Sequence, residues 1–378
     1  MVATFLLDIV FLLTAAVIAV PVFRAIGLGI VPGFLVAGIL VGPSGLGLID
    51  NFYEIRQLAE LGVVLLLFVI GIELKPARLW LMRRMVFGLG TLQVVITGAL
   101  ITTAVYLAMD LPFRTAVIIG PALALSSTAF VLQLLAEKKM LHSEHGRASL
   151  SVLLLQDLAV VPLLALVPLL AMPELTIGTD IAIALGETLG ILFVVIVGGR
   201  YLLQPVMHRI ARTRSRETFT AFTVLLVLGS ALLTEHLGLS MAMGAFIAGL
   251  LIADSPFRHE VIAEIEPFRG LLLGLFFMSM GMALDVGVFI ADPLFSLGLL
   301  LALLAIKFVV LWPLALVFGL GRKRGAAVAL LLAQSGEFGL VIFAYAFQEQ
   351  LLAEGVFQQL LVVIVLSMLA TPLLANLA

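Results

Sequence analysis

The sequence predicts an all-α membrane protein of about 13 transmembrane helices, built as two inverted six-helix repeats joined by a connector helix. Three observations predict it. Of 378 residues, 63% are hydrophobic and 12% charged, whereas a soluble chain is about half apolar and about a quarter charged. Of the 21 lysines and arginines, 18 fall in alternate loops between apolar runs. Short segments of the first half also recur, in order, about 210 residues later.

A helix needs about 20 apolar residues to cross the hydrocarbon. The first run, 5–23, has no basic leader and no A-x-A site, so it reads as a retained span. Runs 30–48, 58–74 and 85–107 follow, separated by turns or basic clusters. The fifth, 112–135, is apolar except for "LALSSTAF" at its middle. The sixth, 148–171, carries Asp157, and the seventh, 180–199, is the connector. Runs 218–236, 238–253 and 267–284 come next. Run 293–319 carries Lys307, 325–347 is interrupted by "AQSGE", and 355–376 is the last. Loops are short and no soluble segment stands out, so residues 1–378 read as one membrane domain. Repeat one covers about 1–171 and repeat two about 218–378.

The basic loops set the orientation. One set holds Arg24, the group Lys75 to Arg84, Lys138 to Arg147, Arg200 to Arg216, Arg258 with Arg269, and Arg322 to Arg324; the opposite loops hold Arg56 and Arg114. Positive loops face the cytoplasm, so the expected N-terminus is outside and the C-terminus inside, in the inner or plasma membrane. The net charge of −2 is near zero, so bulk charge argues for no class of partner; no nucleic-acid partner is expected. With no cysteine, disulfides, thiol catalysis, iron–sulfur clusters and thiolate zinc sites are excluded. H-E-x-x-H and G-x-S-x-G are missing as well, and no enzymatic activity is expected.

"GFLVAGILV" (33–41) resembles "GAFIAGLLI" (244–252), "LLFVIGIEL" (66–74) resembles "FFMSMGMAL" (276–284), and "ALSST" (124–128) falls opposite "AQSGE" (333–337). The shared offset spans seven helices, an odd number, so the copies have opposite orientation, as in secondary transporters. In the third pair, Ser126, Ser127 and Thr128 stand opposite Ser335, Gly336 and Glu337, with Gln334 just before them. Small polar residues at that depth let a helix break, baring N–H groups at one half-helix end and C=O groups at the other. The other reading is that the Ser and Thr hydroxyls bond back to their own helix.

Asp157 sits near mid-depth of span six, where an ionised side chain costs at least about 2.5–3.5 kcal/mol. Either it is a structural carboxylate, or it alternates between a proton and a cation. Gln156 precedes it about 100° round the helix, with a carbonyl that can line the same cavity. Lys307 is the single basic residue inside a span. It balances the negative ends of broken helices, or pairs with Asp157 when the cation leaves. The repeat places Thr97 opposite Lys307 and Ser367 near the counterpart of Asp157, neither charged. Glu337 lines the cavity or caps a helix. Glu73 lies toward a helix end, and Glu187 on the connector reads as packing or a dimer contact.

Together "LLLQDLAVVPLL", "LALSSTA", "GLGIVPGFLVAGILVGP", "LFVIGIEL", "IEPFRGLLLGLFFMSMGMALD" and "AQSGEFGLV" resemble the monovalent cation:proton antiporter-2 family. The nearest branch is the Kef-type, glutathione-regulated potassium efflux systems. The resemblance implies a sodium/proton antiporter-type fold, with a dimerisation domain, a core of two crossed, broken helices, and a homodimer. It implies that Asp157 is the shared cation and proton site, with Gln156, Ser126, Ser127 and Thr128 beside it. It also makes Lys307 the buried compensating lysine. Gln156, where sodium-transporting relatives often carry an acid or Asn, resembles the Kef pattern and favours potassium. Kef-type systems continue into a cytosolic nucleotide-binding domain; no G-x-G-x-x-G after a strand pattern occurs in these 378 residues. The expectation is therefore a truncated chain or a short homologue, with such a domain or subunit as a possible partner. The stretch 254–270, with His259, Glu260, Glu264, Glu266 and Arg269, resembles the segment that answers to that domain, or is a plain solvated loop.

The expected function is potassium:proton antiport by alternating access, with no cofactor beyond the monovalent cation, K+ or alternatively Na+. The rivals are a sodium-coupled symporter for an organic solute and a ligand-gated potassium channel.

Overall fold

The computed structural model describes residues 2–49, 53–73, 82–137, 139–140, 143–172, 215–236, 241–253 and 255–377, with isolated residues between 186 and 210. Every regular element among them is helical. In chain order these are α1 (Val2–Ala25), α2 (Ile30–Val41), α3 (Tyr53–Glu73), a π-helical turn (Arg84–Gly90) running into α4 (Thr91–Met109), α5 (Phe113–Ala124), α6 (Thr128–Glu137) and α7 (Glu144–Ala171). After the connector region come α8 (Arg216–His236), α9 (Met241–Ile252), α10 (Arg258–Ala283), the short α11 (Val286–Ala291), α12 (Pro293–Val317), α13 (Arg322–Leu331), α14 (Glu337–Gln348) and α15 (Glu354–Leu377).

Twelve of the expected spans are present; the seventh, with Glu187, lies almost wholly outside the described residues. The two polar interruptions are real breaks. Span five is α5 and α6 with residues 125–127 between them, and span twelve is α13 and α14 with 332–336 between them. Half-helices of 10 to 12 residues are roughly 15–18 Å long, about half a bilayer core of ~30 Å.

Two boundaries differ from the sequence expectation. Span 30–48 stops being helical at Val41, because Gly42 to Ile49 fold back through turn bonds such as Leu46 N–H to Leu40 O and Leu48 N–H to Val41 O. The expected cytoplasmic loop 254–270 is helical from Arg258 on. Ser255 Oγ accepts from the Phe257 N–H at its start. Val261 and Ile265, four apart and both buried, give this polar stretch an apolar face. Charge density had concealed that face.

The chain forms two compact units: residues 1–54, 82–163 and 277–378, and residues 55–81 and 164–276. In the first, Leu89, Val131, Val152, Leu311, Val328 and Leu332 belong to one buried apolar cluster. In the second, Phe68, Ile72, Val227, Ala248 and Ile265 do so.

Each unit contains one copy of the same close helix contact. In the first, a Cβ at Gly38 would run into the carbonyl oxygen of Met278, and one at Gly281 into that of Leu35. In the second, a Cβ at Gly249 would run into Phe68 O, and one at Gly71 into Phe246 O. The repeat maps Gly38 on Gly249, Phe68 on Met278, Leu35 on Phe246 and Gly71 on Gly281. Span two of each repeat therefore packs backbone to backbone on span three of the other, through equivalent glycines. Glycine is what permits that approach.

Gly38→Ala and Gly249→Ala should each cost about 1–3 kcal/mol through overpacking, read as a lower unfolding midpoint in detergent. Gly229→Ala, with nothing within 4 Å of the added carbon, should leave the midpoint unchanged or raise it. Equal shifts at all three positions would contradict the paired contact.

Candidate functional site

Breaking a helix inside hydrocarbon strands N–H and C=O groups, each costly when unsatisfied. The first break shows how the chain meets that demand. The Ser126 N–H donates to Gln156 Oε1 at 2.8 Å. Ser126 Oγ donates across to Leu332 O of the second break at 2.9 Å. Ser127 is the N-cap of α6, its Oγ accepting from the Phe130 N–H at 3.3 Å. Thr128 Oγ1 donates to Asp157 Oδ1 at 2.7 Å. The Ser126 and Thr128 hydroxyls thus donate to other elements, whereas Ser127 bonds within its own helix.

The second break repeats the plan with different side chains. The Ser335 N–H donates to Ser367 Oγ at 3.1 Å. Ser367 stands where the repeat offset carries residues 156 and 157. Gly336 N–H donates to Leu125 O at 3.1 Å. A Cβ at Gly336 would lie 2.5 Å from the Ser126 carbonyl carbon and 2.6 Å from the Ser127 nitrogen. The two breaks therefore touch main chain to main chain, and glycine is required where they meet.

Lys307, midway along α12 and fully buried, is placed at the C-terminal ends of both leading half-helices. Four acceptors lie within hydrogen-bond reach of its Nζ, one more than an ammonium has N–H bonds: Gln334 O at 2.6 Å, Ser126 Oγ at 3.0 Å, Leu125 O at 3.2 Å and Leu123 O at 3.3 Å. Helix C-termini carry partial negative charge, so an ammonium belongs there. Three of the four acceptors are main-chain carbonyls.

Asp157, midway along α7 and 5% exposed, has the complementary placement. Through Thr128 it sits at the first turn of α6, where a half-helix begins and partial positive charge favours an anion. The repeat maps Thr128 onto Glu337, also 5% exposed and in the first turn of α14. Each trailing half-helix thus has a carboxylate at its N-terminus.

Gln156 is committed to bracing. Beyond its bond with Ser126, its Nε2 donates to Gln93 Oε1 at 2.7 Å. Gln93 Nε2 in turn donates to Ala124 O at 3.0 Å. Gln93, fully buried on α4, was not singled out from sequence. The available signal was a lone amide inside span four, which needs partners at that depth. The Gln334 amide is fully buried and has no hydrogen-bond partner among the described residues.

The remaining expected residues lie apart from this cluster in sequence and element. Glu264 accepts from Thr220 Oγ1 at 2.7 Å, Glu266 pairs with Arg269, and Arg258 Nε bonds His259 Nε2 at 3.2 Å. Glu260 is in the first turn of α10. The Glu73 side chain lies outside the described residues. Among the described residues no three His, Asp or Glu side chains gather as a multidentate metal site.

A model of the family described as "Sodium/hydrogen exchanger, transmembrane" matches residues 11–376. The chain belongs to that family. It is an integral membrane protein of the cation:proton antiporter class. It is similar to the structure of the sodium proton antiporter MjNhaP1 from Methanocaldococcus jannaschii at pH 8, with TM-score 0.69 and 17% identity, covering 99% of each chain. A second structure of that antiporter, from an electron-microscopy map, matches with TM-score 0.67 and 16% identity over 100% of this chain and 97% of that one. These likenesses establish the antiporter fold for the family member described here.

Lys307→Leu takes the donor from Leu123 O and Gln334 O, while Leu125 O keeps the Gly336 N–H; at about 1–3 kcal/mol per unsatisfied group it should destabilise by at least about 2 kcal/mol. Gln93→Leu should cost about 1–3 kcal/mol by the same reasoning. Thermal unfolding in detergent checks both. A Lys307→Leu protein that melts like the wild type would show that the ammonium does not hold the breaks.

Proposed function

We propose that this chain exchanges a monovalent cation for protons by alternating access, with Asp157 as the site both ions share. The placement of Asp157 carries the reading. Asp157 is buried within its helix, bonded by the Thr128 hydroxyl, and placed at the start of a half-helix beside two breaks. Lys307 offsets the opposite ends of the break, so the site does not need a permanent counter-ion at Asp157. The main-chain oxygens and hydroxyls of Ser126 to Thr128 are the groups nearest in sequence to complete a cation's coordination.

Potassium is the first reading for the cation, from the Gln156–Asp157 pair and its resemblance to the Kef-type pattern. Sodium is supported by the solved structures of similar fold, whose titles name sodium proton antiporters. One cation for one proton makes the cycle electroneutral. The same reading takes the protein as a homodimer, with the basic loops on the cytoplasmic side, and assigns His259, Glu260, Glu264, Glu266 and Arg269 to a face that answers to a cytosolic regulator.

Purified protein in vesicles with a pH-sensitive dye inside should move luminal pH when K+ or Na+ is added outside, without any organic solute. The more effective ion identifies the substrate. Asp157→Asn should abolish the response while keeping a wild-type elution profile. Undiminished exchange in that variant would overturn the assignment of Asp157. Cation flux without any pH change would replace antiport with a channel.

A further inference from the structure

The first unit contains a cavity of about 160 Å³ between α4, α5, α12 and α15. Its lining is almost wholly carbon: Ile101, Ile119, Leu123, Leu303, Leu360 and Val363 form its interior. The one polar side chain on its wall, Gln359, donates its amide to Ser296 Oγ at 2.9 Å. Ala104 and Ala108 of α4 and Ala302 of α12 also line it, and all three are exposed. They form a rim of minimal side chains, flanked by Leu107 and Leu301, which are 75% and 65% exposed.

The position along the helices says what lies outside that rim. The lining residues occupy the C-terminal half of α4 and the N-terminal halves of α12 and α15. Those are the ends away from Arg83, Arg84 and Arg322 to Arg324. Leu299 to Ile306 lie roughly 9–20 Å from the start of α12 at 1.5 Å per residue. The rim runs from Ala302, roughly 14 Å into α12, to Ala104 and Ala108, roughly 8 and 2 Å from the end of α4, and exposed leucines stand beside it at both levels.

Size and polarity narrow the occupant. Drug-sized ligands fill about 300–1,000 Å³ and need a few placed polar groups; this cavity is smaller, and among the described residues Gln359 is the one polar side chain on its wall. Apolar cavities of about 150 Å³ stay dry and accept benzene-sized guests. We propose that this cavity takes the terminal segment of a phospholipid acyl chain from the leaflet opposite the basic loops. The chain enters between Ala104, Ala108 and Ala302 and ends against Leu123 and Ile306. Leu123 O accepts from Lys307, and Ile306 precedes Lys307 in sequence. The occupant therefore completes a dry wall behind the lysine that holds the breaks.

The test uses the full chain in vesicles doped with a phospholipid bearing a diazirine near the end of one acyl chain. After photolysis, adducts are mapped by peptide mass spectrometry. The expected result is labelling at buried Leu303, Leu360 or Val363, several-fold reduced in both Ala302→Phe and Ala108→Phe, with labelling at exposed Leu301 and Leu107 retained. A phospholipid with its diazirine beside the headgroup should leave the three buried residues unlabelled. This second arm needs no variant. Adducts confined to exposed positions, buried adducts that persist in both variants, or equal buried labelling by the headgroup probe would each overturn the proposal.

Discussion

One buried lysine nitrogen bears on two broken helices at once. A membrane tolerates interrupted helices only where the freed main-chain groups find partners within the protein. Here Lys307 takes Leu123 O and Leu125 O from one break and Gln334 O from the other, with Ser126 Oγ completing its shell. Remove that nitrogen and carbonyl dipoles from two helix ends face one another across a dry interior. The breaks expose the half-helix N-terminus at which Asp157 is held, so the cation chemistry proposed for Asp157 presupposes the lysine. The two side chains are placed by sign: the basic one at helix C-termini, the acidic one at an N-terminus.

The duplicated frame explains how such a centre can be built from short segments. Equivalent glycines let span two of each repeat approach span three of the other, once in each compact unit. That scaffold tolerates little change, since a single methyl group would meet a carbonyl oxygen. The side chains at the breaks follow the symmetry less strictly. Gln156 braces the first break and Ser367 the second, each accepting from an equivalent serine N–H. Thr128 receives an acid from another helix, whereas its counterpart Glu337 is itself the acid. Thr97 and Lys307 share a repeat position, and one carries charge. Packing kept the two halves alike; the chemistry required them to differ.

Gln156 illustrates a general point about residues beside a charged site. Its adjacency to Asp157 suggests a ligand, but both ends of its amide are engaged with Ser126 and Gln93. Its influence on the ion would pass through the shape of the break. Gln93 and Gln156 form a relay of amides from α4 to Ala124 O, which fixes the end of α5 from a third helix.

The sequence by itself determined the helices, the two interruptions, the internal duplication and the isolated charges. Each is a local or periodic property: an apolar run must be helical in lipid, polar residues within it must be accommodated, and a buried Asp or Lys must have a reason to be there. It also supplied Ser126, Ser127, Thr128, Asp157 and Lys307 as a group. Tertiary structure alone decided which oxygen atoms Lys307 meets, that the breaks touch at Gly336, and that Gln93 reaches Ala124. Those contacts join residues from 27 to more than 180 positions apart, and nothing in the local pattern of either partner records the other. The helical start of α10 was missed for a related reason. Its apolar face is two residues wide, and it becomes visible only when a neighbouring helix covers it.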